Sequence, residues 1–284
     1  MNKSSKTLLI SVLGNISSIL LKLIGGIIGK SKTLLADSIH SCSDLGTDFF
    51  LIIGTFFSNK PADEDHPYGH GKIENIFSLA IGFIIIFVGI IVLKNTLLTD
   101  NMKPQIWVCI ISIITIIIKY IMSKYLMKKG KEYSSSILIS SSKESKMDIL
   151  SNTFVLLVIL LSLLQEKIKI LKYIDTIGGV VVSLFIVYTG INIIEEEVNN
   201  LIGKKENNDL LENSIKKIIN NETLEVTNIN LIKFGNKYLS IIEILTNKNM
   251  SLKNSNDIRC NLEQKILSLE QIIDSKIIII PKEN

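Results

Sequence analysis

The chain has 284 residues, 47% of them hydrophobic, with a mean hydropathy of +0.38 and a net charge of +4. Lys and Glu are interleaved and Arg259 is the single arginine, so no basic surface for nucleic acid is built. Cys42, Cys109 and Cys260 stand far apart without a CxxC pair, which argues against a disulfide framework or zinc knuckle and reads as small apolar packing.

Apolar residues form long runs in the first two-thirds of the chain. A spanning helix needs about 20 such residues, and lipid offers the backbone no hydrogen bonds, so helix is the reading for each run. Six spans are predicted: Thr7 to Ile28, Thr33 to Phe57, Ile73 to Leu98, Pro104 to Leu126, Ser136 to Leu164 and Ile174 to Ile194. The first follows a basic start, is too long for a signal segment and lacks an A-x-A cleavage site, so it reads as retained. The third, fourth and sixth spans are strongly apolar, whereas the second and fifth carry ionisable groups at mid-span. Gly25, Gly26, Gly29, Gly178, Gly179 and Gly190 allow helices to approach closely. An even number of spans puts both termini on one side, and the lysine bias makes that side the cytoplasm. A bacterial plasma membrane is the expected location.

The composition turns polar near Gly203, predicting a membrane-spanning domain over residues 1–203 and a second domain over 204–284. In the latter, Leu210, Leu211, Ile215, Ile218 and Ile219 recur at helical spacing. Glu225 to Phe234 and Tyr238 to Leu245 read as strands, with Gly235 and Asn236 turning between them. Ser251 is a natural N-cap for a helix reaching Leu269, and Ile277 to Ile280 form a last β-branched run before Pro281. The order α-β-β-α-β predicts a small α+β, ferredoxin-like sheet with two helices on one face.

The chemistry sits in the polar spans. His40 and Asp44 are four apart in the second, and Glu144 and Asp148 repeat that spacing in the fifth. On a helix each pair shares a face. Two facing helices, each offering two ligand-type side chains, can close a four-ligand metal site. Ionisable groups at mid-membrane are costly and usually mark an ion path; a polar cluster gluing helices, or a salt bridge to Lys143 or Lys146, is the structural alternative. Asp37, three residues before His40, reads either as an outer partner of that imidazole or as a solvent group at the helix end. After the second span, Asp63, His66 and His70 crowd the loop from Pro61 to Lys72. They read either as an acidic cap on the third span or as a second metal site. No HExxH, GxSxG or phosphate loop is present, so no enzyme motif competes.

The strings "LLADSIHSCSD" and "NKPADEDHPYGHGKIEN" between Leu34 and Asn75 resemble the cation diffusion facilitators, and the likeness extends over the whole chain. Asn15 and Lys22, ahead of Gly25 and Gly26, also fit that family's first span. The resemblance implies a transport site of His40, Asp44, Glu144 and Asp148 and a loop site of Asp63, His66 and His70. It further implies a homodimer, joined by the C-terminal domain, that exchanges a divalent cation for protons and exports metal from the cytosol. The metal is cargo, so no cofactor is expected beyond a structural metal at the loop. Zinc-transporting relatives carry histidine where Glu144 stands. Three carboxylates and one imidazole shift preference from Zn²⁺ toward harder ions such as Mn²⁺ and Fe²⁺, while tetrahedral Zn²⁺ stays chemically normal for such a set. Lys72 matches a lysine that in some relatives pairs with an aspartate after the sixth span; Gly203 stands near that place, leaving the interlock without its acid. A metal sensor or scaffold that kept the fold without transporting is the alternative function.

Overall fold

The computed structural model describes residues 3–58, 60–100, 103–133, 136–166, 168–220, 224–235 and 237–282. Long helices come first: α1 (Lys3–Ile28), α2 (Lys32–Ser58), α3 (Lys72–Leu98), α4 (Trp107–Glu132), α5 (Ser136–Leu163) and α6 (Ile174–Leu201). Their limits follow the predicted spans closely. Among the described residues, five stretches are long and apolar enough to cross a membrane: Leu9–Ile28, Lys72–Leu98, Trp107–Glu132, Leu138–Glu166 and Leu171–Leu201. The helix α2 is as long, at 27 residues, but its polar stretch from Asp37 to Asp44 dilutes its hydropathy.

By contact density the chain divides into two units, Met1–Asp48 with Gly82–Ile191 and Phe49–Ile81 with Asn192–Asn284. In the first unit the usual distribution of side chains is inverted. Leu13, Leu20, Ile27, Phe83, Phe87, Ile110, Ile117, Leu157 and Phe185 are exposed, while Ser18, Lys22, Ser112, Thr115, Lys119, Ser142 and Asn152 are buried. Apolar surface on this scale suits lipid. With no hydrophobic drive between helices in lipid, packing and polar contacts hold them together. Ser123 and Ser142 illustrate this: each hydroxyl donates to the other's backbone carbonyl, at 2.9 and 2.8 Å, joining α4 to α5. Where α1 turns into α2, a Cβ on Gly26 would lie 2.7 Å from the backbone of Leu35, so this crossing depends on glycine. Asp175 fixes the start of α2. Its carboxylate accepts from Lys32 N–H at 2.7 Å, Thr33 N–H at 3.3 Å and the Ser31 hydroxyl at 2.9 Å, satisfying donors that a helix N-terminus leaves open.

The second unit contains α7 (Asp209–Asn220), β1 (Glu225–Phe234), β2 (Lys237–Thr246), α8 (Leu252–Leu267) and β3 (Ile272–Pro281). Strand order is β1-β2-β3, antiparallel then parallel, and the α-β-β-α-β order is the expected one. Leu211, Ile215 and Ile219 of α7 and Leu262 and Ile266 of α8 share one core with Ile229, Leu231, Ile242, Ile244, Ile272 and Ile277 of the sheet. Ser251 caps α8 as expected, its hydroxyl accepting from Asn254 N–H at 3.2 Å. Gly235 turns the hairpin with φ 63°, a conformation that favours glycine; Asn236 lies outside the described residues. The last strand begins five residues before the apolar run that revealed it. Asp274, Ser275 and Lys276 separate its first two isoleucines from that run, and Ser275 is buried there through a 2.9 Å hydrogen bond with Ser240.

Candidate metal sites

Both spacing pairs lie in the first unit. His40 and Asp44 sit one turn apart on α2, with His40 Nε2 3.7 Å from Asp44 Oδ2. The His40 ring meets Phe185 of α6 edge to face, with centroids 5.4 Å apart. Asp44, Glu144 and Asp148 line one small cavity of about 10 Å³, together with Asn15 and Ile19 of α1, Ser41 and Leu45 of α2, and Lys119 of α4. The helices thus bring three of the four candidate ligands to one place and hold the fourth against Asp44. No three of them, however, gather their ligand atoms within 4.8 Å, as Asp63, His66 and His70 do.

A lysine stands where the carboxylates converge. Lys119 Nζ donates to Asp148 Oδ2 at 2.6 Å and to Asn15 Oδ1 at 2.8 Å, and Lys119 is 5% exposed. Lys143 and Lys146 are exposed and absent from the cavity lining. Asp37 fits neither sequence reading. It is 1% exposed, its Oδ2 lies 2.7 Å from Lys22 Nζ, and its Oδ1 accepts from Ser151 of α5 at 3.2 Å. Lys22 donates its hydrogen bond to Ser41 at 3.0 Å. One buried ion pair therefore ties α1, α2 and α5 together beside the cavity. The lysines of the apolar first and fourth spans were the signal for both contacts, since a lone lysine at mid-span needs a partner.

The loop residues lie in the second unit. Asp63 Oδ1 is 2.9 Å from His66 Nδ1, and Asp63 Oδ2 is 3.3 Å from His70 Nε2. The backbone sets this up: His66 N–H donates to Asp63 Oδ1 at 2.7 Å and Asp63 N–H to the His66 carbonyl at 3.3 Å. Desolvation pulls the Asp63 carboxyl up, but the hydrogen bonds from His66 and the two nearby imidazoles outweigh it and hold the group below the usual aspartate range. One carboxylate and two imidazoles within 4.8 Å of one another form a donor set that suits a borderline divalent ion. Next to the loop, Lys72 donates to the Leu201 carbonyl at 3.0 Å and lies 5.5 Å over the Phe234 ring. The lysine does reach the end of the sixth helix, through a backbone oxygen instead of an aspartate.

Apolar helices that bring three carboxylates and a buried lysine together around one cavity define an integral, multi-pass membrane protein that handles ions. Residues 8–202 match the family described as the cation efflux transmembrane domain, and the chain belongs to this family, the cation diffusion facilitators. It is a transporter and not an enzyme. Its relatives include the uncharacterized transporter MJ0449 of Methanocaldococcus jannaschii, 30% identical over 277 residues, 96% of each chain. The manganese efflux system protein MneP of Bacillus subtilis is 26% identical over 269 residues, 93% of this chain and 91% of MneP. The manganese efflux system protein MneS of the same organism is 29% identical over 208 residues, 71% of this chain and 69% of MneS.

Proposed function

We propose that the protein exports a divalent metal ion, Mn²⁺ first and Fe²⁺ or Zn²⁺ next, in exchange for protons by alternating access, with His40, Asp44, Glu144 and Asp148 as the transport site. The observation that carries this reading is the convergence of Asp44, Glu144 and Asp148, from two helices, on one small cavity. Manganese is favoured by the oxygen-rich ligand set and by the two manganese efflux relatives. Metal binds deprotonated carboxylates and neutral imidazole, so loading displaces protons.

In this reading residues 1–203 form a six-span transport domain with both termini in the cytoplasm of a bacterial plasma membrane. Residues 204–284 form a ferredoxin-like domain that joins two copies as a homodimer. Asp63, His66 and His70 hold a structural metal at the loop. Proteoliposomes loaded with a metal-sensitive dye test the reading: Mn²⁺ uptake should rise with the imposed proton gradient, and a sensor or scaffold of the same fold would give none. In the same assay Glu144→His should move preference toward Zn²⁺ by about tenfold, as a second imidazole replaces a carboxylate. An unchanged Mn²⁺/Zn²⁺ ratio would show that this ligand does not set the choice.

A further inference from the structure

We infer that Lys119 is a tethered cation that competes with metal for the Asp148 end of the transport site and must swing aside before a metal can bind. The inference rests on the site proposed above and adds to it a competitor built into the chain. The Lys119 ammonium belongs to α4, yet both oxygens it contacts belong to other helices, Asn15 Oδ1 on α1 at 2.8 Å and Asp148 Oδ2 on α5 at 2.6 Å. The cavity they share with Asp44 and Glu144 is about 10 Å³, room for no more than one water. A divalent ion drawing on Asp148 cannot share that space with a unit positive charge a few ångströms away.

Lysine suits this part, as a compact point charge on a flexible four-carbon stem that can leave without its helix moving. The other buried pair shows the contrast: Lys22 and Asp37 are each 1% exposed, and neither lines the cavity. After metal is released, the returning ammonium gives Asp148 a counter-charge. Apparent metal affinity falls by the fraction of molecules in which Lys119 is in place, which favours release over tight capture.

The test is calorimetric titration of Mn²⁺ into the full chain in detergent, in an Asp63→Ala, His66→Ala background that removes the loop site. Lys119→Met should bind about tenfold tighter, a modest return for removing a unit charge so close to a divalent ion. Lys119→Arg, which keeps the charge, should stay within about threefold of the parent, because a guanidinium makes the same carboxylate pair. Equal or weaker binding in Lys119→Met overturns the inference, as would tightening in Lys119→Arg. Should Lys119→Met fail to run as a monodisperse species, Lys119→Gln carries the same expectation. A parent that binds Mn²⁺ and loses it with Asp148→Asn keeps the transport site standing whatever Lys119 does. A parent that binds none brings down site and competitor together.

Discussion

Asp148→Ala is expected to abolish metal transport while the protein still folds. Asp148 is the candidate ligand with the most work assigned to it: it shares the cavity with Asp44 and Glu144 and also holds Lys119 at 2.6 Å. Truncation removes one of three carboxylates that would neutralise a divalent ion. It also leaves the Lys119 ammonium beside the remaining two, as a cation free to compete for them. Changing an outer partner of a metal ligand typically costs 10–100-fold in affinity, so losing a ligand and its charge should lower Mn²⁺ uptake into proteoliposomes by about 100-fold or more. Folding is checked by a monodisperse size-exclusion peak. Asp44→Ala should behave alike, and wild-type uptake in either variant would remove the proposed site.

The largest stability effect is expected at Lys22→Met. Lys22 and Asp37 form an ion pair at 2.7 Å with each side chain 1% exposed. Methionine keeps the stem's packing and deletes the charge, leaving the Asp37 carboxylate with Ser151 as its side-chain hydrogen-bond donor among the described residues. Breaking a buried pair from one side costs about 3–5 kcal/mol, because the surviving charge stays buried without compensation. For a chain of this size that corresponds to a fall in Tm of roughly 10 °C, read by thermal unfolding in detergent. The double variant Lys22→Met, Asp37→Asn should recover much of the loss, since no charge is left behind. A single variant as stable as wild type would show that this pair does not hold α1, α2 and α5 together.

Much of this was legible in the sequence, because the signals are local. Apolar runs bounded by lysines and glycines fix the long helices, and Ser251 marks its helix start through the hydroxyl that caps it. The i, i+4 pairs on α2 and α5 likewise announce a shared face. What the sequence did not reveal depends on contacts between distant segments. Asp37 lies 15 residues from Lys22 in the chain, and its neighbours in sequence gave no hint that the partner would come from α1. Lys119 sits in the run Ile116 to Ile121, where hydropathy averages hide a single charge. The beginning of β3 was missed for a related reason, since Asp274, Ser275 and Lys276 interrupt the β-branched pattern while the backbone stays paired with β2.

The most direct measurement of the central claim is anomalous scattering from crystals of the full chain grown with Mn²⁺. The account predicts a peak between α2 and α5, with oxygens of Asp44 and Asp148 among its nearest atoms and the Lys119 ammonium turned away. A manganese peak confined to Asp63, His66 and His70, with the mid-membrane carboxylates still held by lysine at saturating metal, would contradict it.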